Sequence, residues 1–441
     1  MPFNIGLSGL NAAATDLRVT GHNVANAGTV GFKESRAEFG DLFAASYGQI
    51  SDTISGQGVK VQTIAQQFNQ GNISFTQNNL DLAVSGQGFF VVENAQGETQ
   101  YTRNGQFKVD SNGFIVNNTG DRLQAFDRTS DEYDFANPTF NVGQMNDIQL
   151  DPKAFNVAPQ ATTEIDMQVN LPARADPPIN GDDFEFSDEG PPRRTTPDTD
   201  MYNFSTSVTV YDSLGEPRTL TAYFVRDEDP LNWQVYIGML DEEGMMQQVG
   251  ETQMTFDNNG QLATVNGADV GDDPTDIDRL IEIEFELEDD NGAADLVATL
   301  DLLGSTQYGS RFVIQGTNQD GFTTGQLRGV NTDERGVVFA QYTNGQNKVL
   351  GQVALANFEN NQGLQEVGDN KWISTFDSGA PVYGAAQTGA FGAVQAGALE
   401  SSNVDLAEQL IKLITAQRNY QANAKTIETA SALSQTVMNI R

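Results

Sequence analysis

The chain has no cysteine and a single histidine. The first absence excludes disulfide bridges, thiol nucleophiles and thiolate metal sites. The second rules out three-histidine zinc sites and histidine acid–base pairs by count. A catalytic triad is left only His22, which closes an amphipathic helical pattern and reads as an ordinary helix-end residue. Basic residues are scarce, 24 Lys and Arg against 60 Asp and Glu, for a formal charge of −36. Nucleic acid and anionic membrane surfaces need clustered cations, so neither is an expected partner. No window approaches 18 apolar residues, so no membrane insertion is expected. The first residues lack a cationic stretch followed by an apolar run, so no cleaved signal peptide is expected either. Gly86-x-Gly88 has no third glycine, no lysine and no following helix pattern, and so is no phosphate loop. Asp289-Asp290-Asn291-Gly292 lacks the alternating oxygen ligands of a calcium loop. No cofactor, metal or catalytic residue is therefore assigned. A glycosidase carboxylate pair has 60 candidates and nothing to single out two of them.

What the chain does have is two apolar stripes, one at each end. Ser402 to Arg441 contains neither Gly nor Pro. Ser402 with Asp405 three residues on gives an acidic variant of the capping box. Leu406, Leu410, Leu413, Tyr420, Ala424 and Ile427, then Ala430, Leu433, Val437 and Ile440, recur by threes and fours. That spacing predicts one face of a coiled-coil helix with a single stammer. At the other end Leu7, Leu10, Ala14, Leu17, Gly21 and Val24 step the same way. Gly6, Gly9 and Gly21 weaken this first helix but let another backbone come close. The stripes can be satisfied by a hairpin of the chain's own ends or by neighbouring copies. Two lone helices bury little, which favours neighbours.

At 441 residues the chain exceeds one core and is expected to divide. The expected fold class is α+β and multidomain: long terminal helices pairing as a coiled coil, with nested all-β inner and outer domains. Residues 1–33 with 396–441 form the helical part, and 34–72 an extended linker with short strands. Residues 73–157 with 312–395 form an inner β-domain, and 158–311 an outer one. Gly86 to Val92 reads as a buried strand bracketed by glycines, and Leu350 to Phe358 as another. Charge follows the same division. Between Ala158 and Arg311 there are 33 acidic residues against 7 Arg and no Lys, a net −26. The two ends are near neutral, so they can pack densely while the middle stays solvated.

Several of these segments carry a resemblance. Leu10-Asn11-Ala12-Ala13-Ala14, followed by Asn23, Asn26, Thr29, Gly31, Phe32 and Lys33 in the order Asn-x-x-Asn-x-x-Thr-x-Gly-Phe-Lys, resembles the signature of bacterial flagellar rod and hook proteins. So do Gly88-Phe89-Phe90, Arg103-Asn104-Gly105, Asp212-Ser213-Leu214-Gly215-Glu216-Pro217, the run Gly351 to Phe358, Gly397 to Leu406, and Gln417 to Gln421. Phe39 and Phe43, in Phe39-Gly40-Asp41-Leu42-Phe43, are similar to the short export element of early flagellar substrates. The large acidic insertion fits the hook members better than the rod members. The resemblance implies a non-enzymatic subunit exported by the flagellar type III apparatus without a cleaved signal. Outside the cell it would polymerise under a cap into a curved tube that transmits torque from rod to filament. Implied partners are further copies of the chain, rod, hook cap and hook–filament junction proteins. The subunit-packing residues would be Leu7, Leu10, Leu17, Val24, Leu406, Leu410, Leu413, Tyr420, Ile427 and Leu433. Asn23 and Asn26 are expected to satisfy freed backbone groups, and Gly31 to take positive φ. The alternatives are a distal rod or hook-associated protein and, from another class, a secreted acidic hydrolase.

Overall fold

The computed structural model describes residues 2–42, 56–129, 138–150, 156–181, 184–186, 196–240, 245–270, 280–285 and 292–439. Helix α1 spans Pro2–Ala25 and helix α2 spans Leu406–Asn439. Between them the described elements are β-strands and one 3-10 turn, Asn361–Gly363, and the chain divides into two compact units. The first comprises residues 1–154, 328–341 and 346–441; the second comprises 155–327 and 342–345.

In the first unit the stretch after α1 is more regular than a linker. Strand β1 (Ser35–Asp41) and strand β2 (Val59–Gln66) pair antiparallel, with a register shift between Glu38 and Phe39. Phe89–Glu93 is a central strand of the main sheet, hydrogen-bonded to Thr99–Thr102 and to Arg122–Arg128. Its Phe89, Phe90, Val91 and Val92 are all buried. A strand covered on both faces has no reason to alternate, which is why this segment reads as a continuous apolar run. Phe89, Tyr101, Phe126, Phe358 and Trp372 share its core. Near the end of the sheet region Ala393–Ala396 pairs with Leu82–Ser85, and Ala398–Glu400 with Ile73–Phe75. Gly397, at φ +64°, joins the two segments and turns the chain toward α2.

The second unit is two sheets over one core. Phe204–Tyr211, Pro217–Arg226, Asn232–Leu240, Met246–Phe256, Leu262–Val265 and Ala268–Asp269 form an antiparallel meander. The other sheet orders Ile281–Phe285, Leu296–Asp301, Glu164–Pro172 and Thr306–Tyr308, with Val313–Gln319 also on Glu164–Pro172. Val169, Leu171, Phe224, Trp233, Ile237, Phe256, Ile283 and Leu300 interdigitate between them. Ile281–Phe285 alternates buried and exposed residues strictly, so its glutamates face solvent.

One turn recurs in both units. Asp110, Asn117, Asp212 and Asp257 each accept backbone N–H bonds from residues two and four ahead on one side-chain oxygen. Asp333 accepts from Val337 four ahead in the same way. Each is followed three residues later by a glycine at positive φ, such as Gly215 at +81° and Gly336 at +77°. The carboxylate or amide ties the loop, and glycine supplies the left-handed residue that closes a short hairpin.

Candidate functional site

Helices α1 and α2 lie side by side within the first unit, and small residues set their seam. A Cβ on Gly6 would lie 2.8 Å from Thr426 and 2.9 Å from Ile427, and one on Gly9 would lie 2.5 Å from Asn423. Ala13 and Thr20 are buried along the same face of α1, and Ala416 on α2. At the far end Asn23 donates to Gln409 across the seam at 3.2 Å. On α1 the row therefore runs Gly6, Gly9, Ala13, Asp16, Thr20 and Asn23. It is a three-four repeat like the leucine row, displaced by one position, or about 100° around the helix. On α2 Gln409, Ala416 and Asn423 recur at heptad spacing. Hydropathy ranks leucine above glycine, so the leucine row beside this intrachain seam is the one that stands out in the sequence. Gly21 meets nothing within 4 Å.

The subunit-packing candidates consequently fall outside or at the rim of this seam. Leu7, Leu406, Leu410, Tyr420 and Leu433 are exposed, Leu410 at 49 %. Leu10, Leu17, Val24, Leu413 and Ile427 are half-buried, and Ile427 faces Gly6. Ile411 and Ile414 join the exposed set. The cap of α2 also differs from the expectation. Asp405 itself accepts from Ala407 N and Glu408 N, while Ser402 Oγ accepts from Val404 N and stays out of the helix. Asp405 serves because its carboxylate reaches the first free N–H groups directly.

The signature turn has a defined job for each residue. Asn23 Oδ1 accepts from Ser35 N and its Nδ2 donates to Ser35 O, clamping β1 to the end of α1. Asn26 donates to His22 O and accepts from Thr29 Oγ1, so Asn26 holds a carbonyl at the helix end, whereas Asn23 spends its amide on Ser35 and Gln409 instead. Gly31 sits at φ +69° against the Arg103–Asn104 backbone and donates to Glu400 O at 2.8 Å. Phe32 is buried edge-on to His22, their centroids 5.4 Å apart. Phe39 is exposed on β1, and Phe43 lies outside the described residues.

Lys33 leads to a cluster that sequence reasoning missed. Its ammonium meets Glu400 Oε1 at 2.6 Å, and Arg103 meets Glu400 Oε2 at 3.0 Å. Glu400 is wholly buried and also accepts from Gly71 N. Arg103 further donates to Gly86 O, and Lys33 to Asn69 O. Burial pushes both cations below their ordinary pKa, against the opposing pull of Glu400. The three residues come from three separate motifs, 70 to 367 positions apart, and only their charges hinted at pairing. A second tie lies nearby. Glu34 Oε1 accepts from Gln409 and Lys412, and Glu34 N donates to Asn403. Burial lowers the Lys412 pKa, but Glu408 and Glu34 outweigh it, so the net direction is up. Burial raises Asp16, with Lys412 opposing. These contacts set where the paired helices leave the β-sheet; they contain no nucleophile–base pair. Among the described residues no group of three or more His, Asp or Glu could hold a metal, and no helix is long and apolar enough to cross a membrane.

Comparison with known proteins covers the same elements. Residues 3–33 match the model for flagella basal body rod protein, and 395–440 the flagellar basal body rod FlgEFG protein C-terminal model. Residues 83–170 match the flagellar hook protein FlgE/F/G D1 domain, and 178–322 the flagellar basal body protein FlaE D2 domain. The chain is 38 % identical to flagellar hook protein FlgE of Escherichia coli K12, covering all of both chains. It is 31 % identical to the protein of that name from Rhizobium meliloti, over 99 % of this chain and 98 % of the other. The crystal structure of Helicobacter pylori flagellar hook protein FlgE2 superposes with a TM-score of 0.52 at 14 % identity, covering 74 % of this chain and all of that one.

Proposed function

This chain belongs to the flagellar hook protein family, and we infer from its geometry that the two terminal helices are the adhesive of a helical homopolymer. It is a structural subunit of the hook and not an enzyme. The carrying observation is the unpartnered apolar row on α2: Leu406, Leu410, Ile411 and Ile414 remain exposed although α1 is already docked. Covering them returns roughly 1 kcal/mol each, about half of what full burial from water gives, because between a third and a half of each is already covered. Leu7, Leu10, Leu17 and Val24 form the matching row on α1. A row on one helix meeting a different row on the next copy is a heterologous contact, which propagates as a filament instead of closing.

The helical pair, the inner β region and the acidic β-sandwich then divide the labour as core, wall and solvated exterior of a curved, flexible tube joining rod to filament. The subunit would reach that place through the type III export apparatus, outside the cell and without a cleaved signal, and would meet rod, cap and junction proteins there. Phe39 remains a candidate export element. The test is direct: purified full-length protein is brought to high ammonium sulfate, followed by sedimentation and negative-stain electron microscopy. Tubes are expected, and a species that stays small at every concentration overturns the reading.

A further inference from the structure

Asn117 heads one of the side-chain-tied turns described above, and it is the only amide among them, since Asp heads the others. Its Oδ1 accepts from Thr119 N and Asp121 N, both at 2.9 Å. A carboxylate does that job equally well at Asp110, Asp212 and Asp257, so the turn alone does not call for an amide. What distinguishes position 117 is its neighbours. Asn117 Nδ2 donates to Asp121 Oδ2 at 2.8 Å, and Lys371 Nζ donates to the same oxygen at 2.6 Å. Thr119 Oγ1 is 2.7 Å from Asp121 Oδ2 and 3.4 Å from Lys371 Nζ. The lysine and the aspartate are both buried, and they come from segments 250 positions apart within the first unit. A buried lysine–aspartate pair is ordinarily a structural ion pair. Here an amide shares the carboxylate oxygen, which gathers an amine, a proton carrier and an electrophilic carbon in one cluster.

We propose that Lys371 and Asn117 are the two halves of an intramolecular isopeptide cross-link, with Asp121 carrying protons between them. Because both nitrogens bond one oxygen, they are no farther apart than those two bonds laid end to end, a gap within reach of the lysine's flexible stem. Asp121 Oδ2 takes a proton from the Lys371 ammonium, and the freed amine attacks Asn117 Cγ. Charge developing on Oδ1 meets the two backbone N–H groups that already bond it, as in an oxyanion hole. The Nζ–Cγ bond forms and the Cγ–Nδ2 bond breaks. Nδ2 departs as ammonia with the proton that Asp121 carried, and the proton shed by Nζ passes through the carboxylate to solvent. Nothing is oxidised or reduced. Burial raises the Asp121 carboxyl, but Lys371, Thr119 and Asn117 outweigh it and keep it ionised, so the ion pair is the resting form and the cross-link accrues slowly. The product ties strand Lys371–Ile373 to the turn after Ile115–Val116, in a chain with no cysteine to make a covalent clamp. It goes beyond the polymer reading and does not depend on it.

The full-length protein is aged at about pH 9, which favours the nucleophilic free amine, then weighed intact and digested for tandem mass spectrometry. The expected result is a chain lighter by one ammonia, with a branched peptide joining Lys371 to Asn117. Asn117→Asp keeps the turn but offers no ammonia to leave, and Lys371→Met removes the nucleophile; neither should lose mass. Asp121→Ala should cross-link at least about a hundredfold more slowly. An aged parent chain of unchanged mass overturns the inference. So does ammonia loss without the branched peptide, which would mean that Asn117 cyclised on its own backbone. So does an unslowed Asp121→Ala chain. Each of these leaves the polymer reading standing, and failure to form tubes leaves the cross-link standing.

Discussion

The acidic sandwich and the helical pair solve opposite problems. In the sandwich, Trp233, Val235, Ile237, Met239 and Phe256 are almost wholly hidden beneath strands whose charged residues face water. Along the 34 residues of α2, by contrast, Gln409 and Ala416 are the buried positions among those described, and leucines and isoleucines lie open. The sandwich carries most of the molecule's net charge, and the helices carry rows of exposed apolar residues. A region's hydrophobic content therefore says less than whether its own partner has used that content up. Here α1 closes on α2 through glycine, alanine and asparagine, and the leucines remain available.

The contrast can be broken in four places, in falling order of effect on the monomer. Glu400→Ala strands two buried cations and should destabilise the first unit by about 3–5 kcal/mol. Hydrogen-exchange mass spectrometry should show faster exchange around Lys33 and Arg103, with the sandwich strands unchanged. Equal loosening of both units would deny their independence. Ile237→Ala opens a cavity in the sandwich and should cost about 2–5 kcal/mol in urea unfolding, with exchange in α1 and α2 unaltered. Leu410→Asp should shift monomer stability by no more than about 0.5 kcal/mol and yet abolish tubes; normal tubes from this variant would remove the helical row from the interface. The smallest effect is an acid one. Lys371 lies 2.6 Å from Asp121. Burial raises that carboxyl, but Lys371, Thr119 and Asn117 outweigh it and hold its pKa below the ordinary value. The folded state thus binds this proton less readily than the unfolded one. Its stabilisation is complete above about pH 4 and fades as pH falls through the folded pKa. Asp121→Asn should flatten that limb between pH 4 and 2 in urea midpoints.

Much of the fold was legible because local signals suffice for it. The Gly86–Val92 run, the Asp212-Ser213-Leu214-Gly215 turn and both long helices follow from periodicity and turn chemistry. Asn26 and Gly31 do what a helix end followed by a tight turn demands, while Asn23 reaches across to Ser35 and Gln409. The seam between α1 and α2 within one chain was not legible, because a stripe of Gly6, Gly9 and Ala13 carries no hydropathic contrast. The Lys33–Glu400–Arg103 cluster escaped because nothing local distinguishes a buried glutamate from 59 other acidic residues. The β1–β2 pair was partly anticipated as short strands, but its antiparallel register depends on partners some 20 to 30 positions away.

The bond between Asn23 and Gln409 joins residues 386 positions apart. Such a closure is among the last a chain can make, since loops that long shut slowly and only after nearer contacts have formed. The exposed apolar rows are thus carried by the first and final segments of the chain together. A half-made copy possesses neither the seam nor the ordered rows beside it. Timing is written into connectivity: cohesion arrives only once the whole length of the polypeptide is in one place.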